Sequence, residues 1–264
     1  MIDIHHHLLP GLDDGATDMD MSVAMARLAV ADGITHVVCT PHANDIYEFD
    51  PAANAEKLAA LRARLEAEEI PLTLGLGCDL HLSYENIRAA RTDPARFSIN
   101  GHSYLLVELP DYGLSPYLTE TFYELLLANL MPILTHPERN RTLQAGPARM
   151  IHWLRGGLLI QVTADSVLGH MGKRAEALAH RLLADRWVHF LATDAHSAHV
   201  RPPRMREAHA LVAKKYGASY ADLICFRNPS AAFHGEPLPA QEEPVRLSED
   251  MAAKGSWWSR LWES

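Results

Sequence analysis

Short apolar and β-branched runs alternate with longer stretches of helical period from the first residue to about residue 217. The runs are Met1 to His5, Thr35 to Thr40, Leu72 to Cys78, Tyr104 to Leu109, Pro132 to Thr135, Leu158 to Val162 and Val188 to Ala192. Between them, Asp18 to Asp32, ended by Gly33, and Asn54 to Glu69, with Leu58, Leu61 and Leu65 on one face, read as amphipathic helices. About seven such units predict a parallel sheet with crossover helices packed outside it. Tyr220 to Phe226 and Pro229 to Phe233 read as short closing helices, and the proline- and glutamate-rich stretch Gly235 to Pro244 as a linker. The expected division is a domain over residues 1–235 and a linker with tail over 236–264. In the tail, Trp257, Trp258, Leu261 and Trp262 fall on one side of a helix too short to stand alone. Packing on the main domain or plain disorder is expected at least as much as docking on a second subunit, giving a homo-oligomer, or on another partner, and membrane-surface contact less.

The chemistry gathers where the runs end. His5 and His7 close the first run, His42 follows the second, Asp79 the third, Glu108 the fourth, His136 the fifth, and Asp194 and His196 the last. In a parallel barrel the carboxyl ends of the strands converge on one face, so one arrangement accounts for all eight positions. Alternate strand residues point the same way, so His5-x-His7 and Asp194-x-His196 each aim two donors at one point, and His6 should face elsewhere. Imidazole mixed with carboxylate suits manganese, iron or zinc better than magnesium or calcium, and this many donors exceeds one coordination sphere. Two or three ions are expected, with manganese or iron preferred, and Asp79 or Glu108 is placed to bridge. Asp14 reads either as a further donor or as a turn aspartate. His81 shares the strand face of Asp79 and either completes a shell or lines the pocket.

Composition narrows the alternatives. The 264 residues carry a formal net charge of -9, which argues against a wide nucleic-acid surface, since that requires lysine and arginine over phosphates. Cys39, Cys78 and Cys225 are scattered, form no CxxC pair and have no arginine six positions on, which removes a disulfide framework and a thiol-based phosphatase loop. No apolar run reaches the length of a membrane span, and the start Met1-Ile2-Asp3-Ile4-His5 does not read as a secretory signal, so a cytoplasmic location is expected.

The motifs Met1-Ile2-Asp3-Ile4-His5-His6-His7, Asp13-Asp14-Gly15, Thr40-Pro41-His42, Val107-Glu108, His136-Pro137-Glu138-Arg139 and Asp194-Ala195-His196 followed by Arg201-Pro202-Pro203 occur in that order. Together they resemble the capsule and exopolysaccharide tyrosine phosphatases of the PHP superfamily, over residues 1 to about 235. The resemblance implies a distorted seven-stranded β/α barrel, PHP-type and TIM-like, that binds three metals and dephosphorylates a bacterial tyrosine kinase controlling polysaccharide export. It also implies His5, His7, Asp14, His42, Asp79, Glu108, His136, Asp194 and His196 as ligands, and Arg139 and Arg201 as the phosphate grip, where a planar guanidinium holds two oxygens at once. The family usually carries glutamate where this chain has Asp79, which puts that residue's bridging role in question. His42, His196 and metal-bound water are the candidates for protonating the leaving phenolate. Rival readings are a phosphoesterase of the same superfamily acting on a small ester such as histidinol phosphate, a metal amidohydrolase, and a non-catalytic kinase-binding regulator.

Overall fold

A computed structural model describes residues 1–110, 113–245 and 247. Nine parallel strands run in chain order: β1 (Ile2–His6), β2 (His36–Cys39), β3 (His42–Ala43), β4 (Thr73–Leu76), β5 (Asp79–His81), β6 (Tyr104–Glu108), β7 (Met131–Thr135), β8 (Leu159–Thr163) and β9 (Phe190–Ala192). They form two sheets, ordered β1-β2-β4 and β3-β5-β6-β7-β8-β9. The sheets are joined by the chain itself, because β2 runs on through Thr40-Pro41 into β3, and β4 through Gly77-Cys78 into β5. Proline lacks the N–H that a ladder needs, which fits an interruption at Pro41. The two interrupted paths and five uninterrupted strands make the seven runs read from the sequence.

The ring closes between β1 and the end of β9. His7 N donates to Ala195 O at 2.9 Å and Asp194 N to His5 O at 2.9 Å, and His6 bridges Ala195 in parallel. Below this seam the buried Asp3 carboxylate accepts from Thr193 N at 3.0 Å and from the Thr193 hydroxyl. Burial pushes the Asp3 carboxyl up to about 6, although the Thr193 bonds oppose the rise.

Ile2, Ile4, Val38, Tyr104, Leu106, Ile133, Leu159 and Phe190 form one apolar cluster with Ile99 and Phe233. Side chains from strands all round the ring can meet only inside it, so this cluster fills the barrel, and Ile99 and Phe233 plug its lower end. The larger cluster lies between strands and helices. There α1 (Met19–Ala31) is capped by Asp18, whose side chain accepts from Met21 N. The second helix, α2 (Pro51–Ala67), begins earlier than Asn54 because Asp50 caps it and Pro51 occupies its first turn. The stretch expected to be a linker has no helix or strand, yet it is tied to the barrel. Tyr104 donates to Glu236 O, Gln241 and Asn228 exchange amide hydrogen bonds, and Trp187 Nε1 donates to Val245 O at 2.9 Å. The tryptophan-bearing tail lies outside the described residues. No helix among the described residues is long and apolar enough to cross a membrane.

Candidate metal centre

A one-residue bulge in β1 sets the site. Asp3 pairs with Val37 but His6 pairs with Cys39, so β1 spends one more residue than β2 over that interval. Without the bulge, His6 would share the inner face of Ile2 and Ile4. With it, His5 and His7 turn toward the barrel axis. Glu108 lies in phase with the inner residues Tyr104 and Leu106, and Asp194 with Phe190 and Ala192, so both carboxylates meet the histidines. His136 (φ 32°) and Asp194 (φ 52°) have left-handed backbone, an uncommon conformation for these residues that recurs at functional sites.

All nine residues expected as ligands fall in four overlapping groups: His7, Asp14, His42 and His196; His5, Asp79 and His136; His5, His7 and Asp194; and His42, Asp79 and Glu108. Within each group the donor atoms lie within 4.8 Å of one another. His5 Nε2 is 3.5 Å from Asp79 Oδ2 and 3.3 Å from Asp194 Oδ1. His42 lies 3.3 Å from Asp79 and 3.4 Å from Asp14, and His136 lies 3.4 Å from Glu108. Asp79 belongs to two groups, so the shorter carboxylate still reaches two positions. Asp14 faces His42 and His196 rather than acting only as a turn residue. His81 joins no group. His6, as expected, is aimed away: it is fully buried, its ring nitrogens have no hydrogen-bond partner, and burial depresses it to about 3.

The charges are mutually dependent. Burial opposes a proton on His5, but Asp194 and Asp79 raise it to about 9. Burial pushes the Asp79 carboxyl up, yet His5 and His42 reverse this and hold it well below the usual range. Burial and the charge of Asp79 push Glu108 up to about 8, while burial and Arg139 hold His136 well below a free histidine. Carboxylates packed this closely against His5 and His42 call for neighbouring positive charge, which a cation would supply. The donor set fits metal ions on a second count: Asp79 Oδ2 and His42 Nδ1 are buried without a hydrogen bond.

Three residues that sequence reasoning passed over support the donors. Asp13 Oδ2 accepts from His7 Nδ1 at 2.7 Å and from His42 N at 3.1 Å, and Gln161 Oε1 accepts from His5 Nδ1 at 3.0 Å. Each bond leaves Nε2 of its histidine with a free lone pair for a metal. Thr135 donates to Val107 O at 3.2 Å beside Asp79. Gly15 permits the Asp13 turn, since a Cβ there would meet the His7 Cβ and carbonyl at 2.4 Å.

Arg139 and Arg201 both reach the cluster, and each donates to Asp194 Oδ2. A cavity of about 290 Å³ opens beside Arg139 and is lined also by Glu108, Thr135 and His136.

Residues 1–234 match the family model described as capsular polysaccharide synthesis, CpsB/CapC. The tyrosine-protein phosphatase YwqE of Bacillus subtilis is 36% identical over 225 residues, covering 85% of this chain and 88% of the relative. The tyrosine-protein phosphatase CpsB of Streptococcus pneumoniae is 25% identical over 235 residues, covering 87% and 96%. A solved structure from work on YwqE and CpsB, described as unique metal-dependent tyrosine phosphatases, superposes with a TM-score of 0.87 at 33% identity, covering 93% of this chain and 98% of that one. A histidinol phosphate phosphatase from Lactococcus lactis superposes with a TM-score of 0.54 at 13% identity, covering 85% and 94%, and shares the fold.

Proposed function

The chain belongs to the CpsB/CapC family of capsular polysaccharide synthesis and is a metal-dependent tyrosine-protein phosphatase; on that premise we propose which residues carry the reaction and on what substrate. The observation that carries the reading is the convergence of nine donors in four overlapping groups with two arginines beside them. His5, His7, Asp14, His42, Asp79, Glu108, His136, Asp194 and His196 hold a cluster of two or three ions, and the mixed donors favour manganese or iron, then zinc. Such ions supply an activated water near neutral pH and offset charge on the phosphoryl oxygens.

The chain's own groups do the rest. Arg139 and Arg201 grip the phosphoryl oxygens, trading their Asp194 contacts for substrate when that carboxylate serves a metal. Asp13 and Gln161 keep His7 and His5 in the ligating tautomer. His42 and His196 flank Asp14 at the partly open side of the cluster and are the candidates to return a proton to the departing phenolate oxygen. The substrate is a phosphotyrosine protein, and a bacterial tyrosine kinase of capsule or exopolysaccharide production fits the family's role.

The test is turnover of a phosphotyrosine peptide against histidinol phosphate after loading with defined metals. The peptide should be the better substrate, and chelation should abolish the activity. Arg139→Ala and Arg201→Ala should keep the metals yet lose turnover, with lysine rescuing poorly. Preference for histidinol phosphate would overturn the substrate assignment. Loss of metal in both arginine variants would make them supports of Asp194 rather than a phosphate grip.

A further inference from the structure

The cavity beside the cluster has a shape and a charge that the reaction alone does not require. Its inner end carries Glu108 and His136, so it opens on the proposed metal centre, and Leu109 and Pro137 give it apolar walls. About 290 Å³ lies at the small end for a ligand site, suited to one side chain rather than a large ligand. Two arginines line it, and they differ. Arg139 is tied to Asp194, with a side chain 33% exposed. Arg141 begins the helix Arg141–Ala145, is exposed, and has no side-chain hydrogen bond or ion pair with any described residue.

We infer that this cavity takes the substrate's phenyl ring against Leu109 and Pro137, and that Arg141 at its mouth binds a carboxylate next to the phosphotyrosine. Acidic-flanked phosphotyrosine segments are therefore the preferred substrates. The inference rests on the phosphatase reading above. With the phosphate at the cluster, the ring lies in the cavity and the peptide backbone emerges where Arg141 stands. Apolar walls stabilise a buried aromatic ring in proportion to the area it covers, and an unengaged guanidinium fork suits a carboxylate. The net charge of -9 disfavours acidic peptides at long range, so a local cation decides whether they are accepted.

The test compares metal-loaded wild type, Arg141→Ala and Arg141→Glu on phosphotyrosine peptides flanked by glutamate or by lysine, with phenyl phosphate as an unflanked reference. Wild type should favour the glutamate flank. Arg141→Ala should lower kcat/KM on that peptide about threefold, mainly through KM, and Arg141→Glu should reverse the preference, changing the ratio by roughly tenfold. Phenyl phosphate should change less than about twofold in both variants. Leu109→Ala should raise KM for phenyl phosphate and leave methyl phosphate, which is too short to cover the wall, nearly unaffected. An unchanged flank preference in Arg141→Glu overturns the role of Arg141, as does an equal loss on phenyl phosphate, which would place the guanidinium on the phosphate itself. Equal effects of Leu109→Ala on phenyl and methyl phosphate overturn the ring site. Failure of metal-loaded wild type to hydrolyse any phosphotyrosine substrate rejects the phosphatase reading, and this inference with it.

Discussion

A histidine ligates a metal through one ring nitrogen only in the tautomer whose proton sits on the other, so the groups that hold that proton matter as much as the donors. Asp13 holds it for His7 and also accepts the backbone N–H of His42, tying the end of β1 to β3. Replacing Asp13 by alanine should lower metal affinity about 10- to 100-fold while leaving the barrel folded. Competition with a metal-binding dye would show it, and wild-type affinity in the variant would reduce Asp13 to a turn residue. The sequence hid this role because Asp13 and Asp14 are adjacent carboxylates in one turn. Which of them faces the metals is decided by the close approach of Gly15 to His7, not by any periodicity. Gln161 left a fainter mark: it is a polar residue on the inner, apolar face of β8, in phase with Leu159. A buried amide on such a face needs a partner, and that need is the signal that could have found it.

At the scale of elements, alternation of apolar runs and helical stretches found all seven strand paths, because a strand buried on both faces must be apolar along its length. It could not find the breaks that split two of them, nor the β1 bulge. A bulge changes backbone pairing while leaving local composition unchanged, so His5-x-His7 was rightly read as one face while the reason it is the inner face came only from the register. The closing helices were legible as apolar segments, but not their role as a plug. Phe233, from the helix Asn228–His234, fills the lower barrel, and it fits because β4 carries Gly75 on that face. A Cβ there would lie 2.6 Å from Asn100 Oδ1 and 2.8 Å from Phe233. Gly75→Val therefore forces the plug outward and should cost about 1–3 kcal/mol. The midpoint of urea unfolding should fall, while the metal content of the folded fraction stays normal because the ligands lie at the other end. An unchanged midpoint would mean that the plug is loosely packed.

Across the whole molecule, the donors at the upper end and the apolar plug at the lower end divide function from stability, and acid should act on both. The metal end loses ions as its donors take up protons. The lower end carries a separate titration at His189, just before β9, where the ring accepts from Ile160 N at 3.1 Å and Asn228 Nδ2 donates to its carbonyl at 2.8 Å. Burial depresses this histidine to about 4, against 6.5 when free. The unfolded chain therefore binds a proton at His189 below about pH 6.5 that the folded chain refuses until about pH 4. Its contribution is complete above pH 6.5 and is lost progressively as the pH falls through that window. The loss is at most roughly 3 kcal/mol, reduced by the part of the ring that water still reaches. Asparagine can supply the acceptor to Ile160 N without titrating, so His189→Asn should be less stable than wild type at pH 7.5 but should lose less on going to pH 5. Unfolding of metal-stripped protein at both pH values isolates the effect from ligand protonation that releases metal. Equal losses in wild type and variant would show that His189 is not part of the acid sensitivity and would move it to His6 and the other buried histidines.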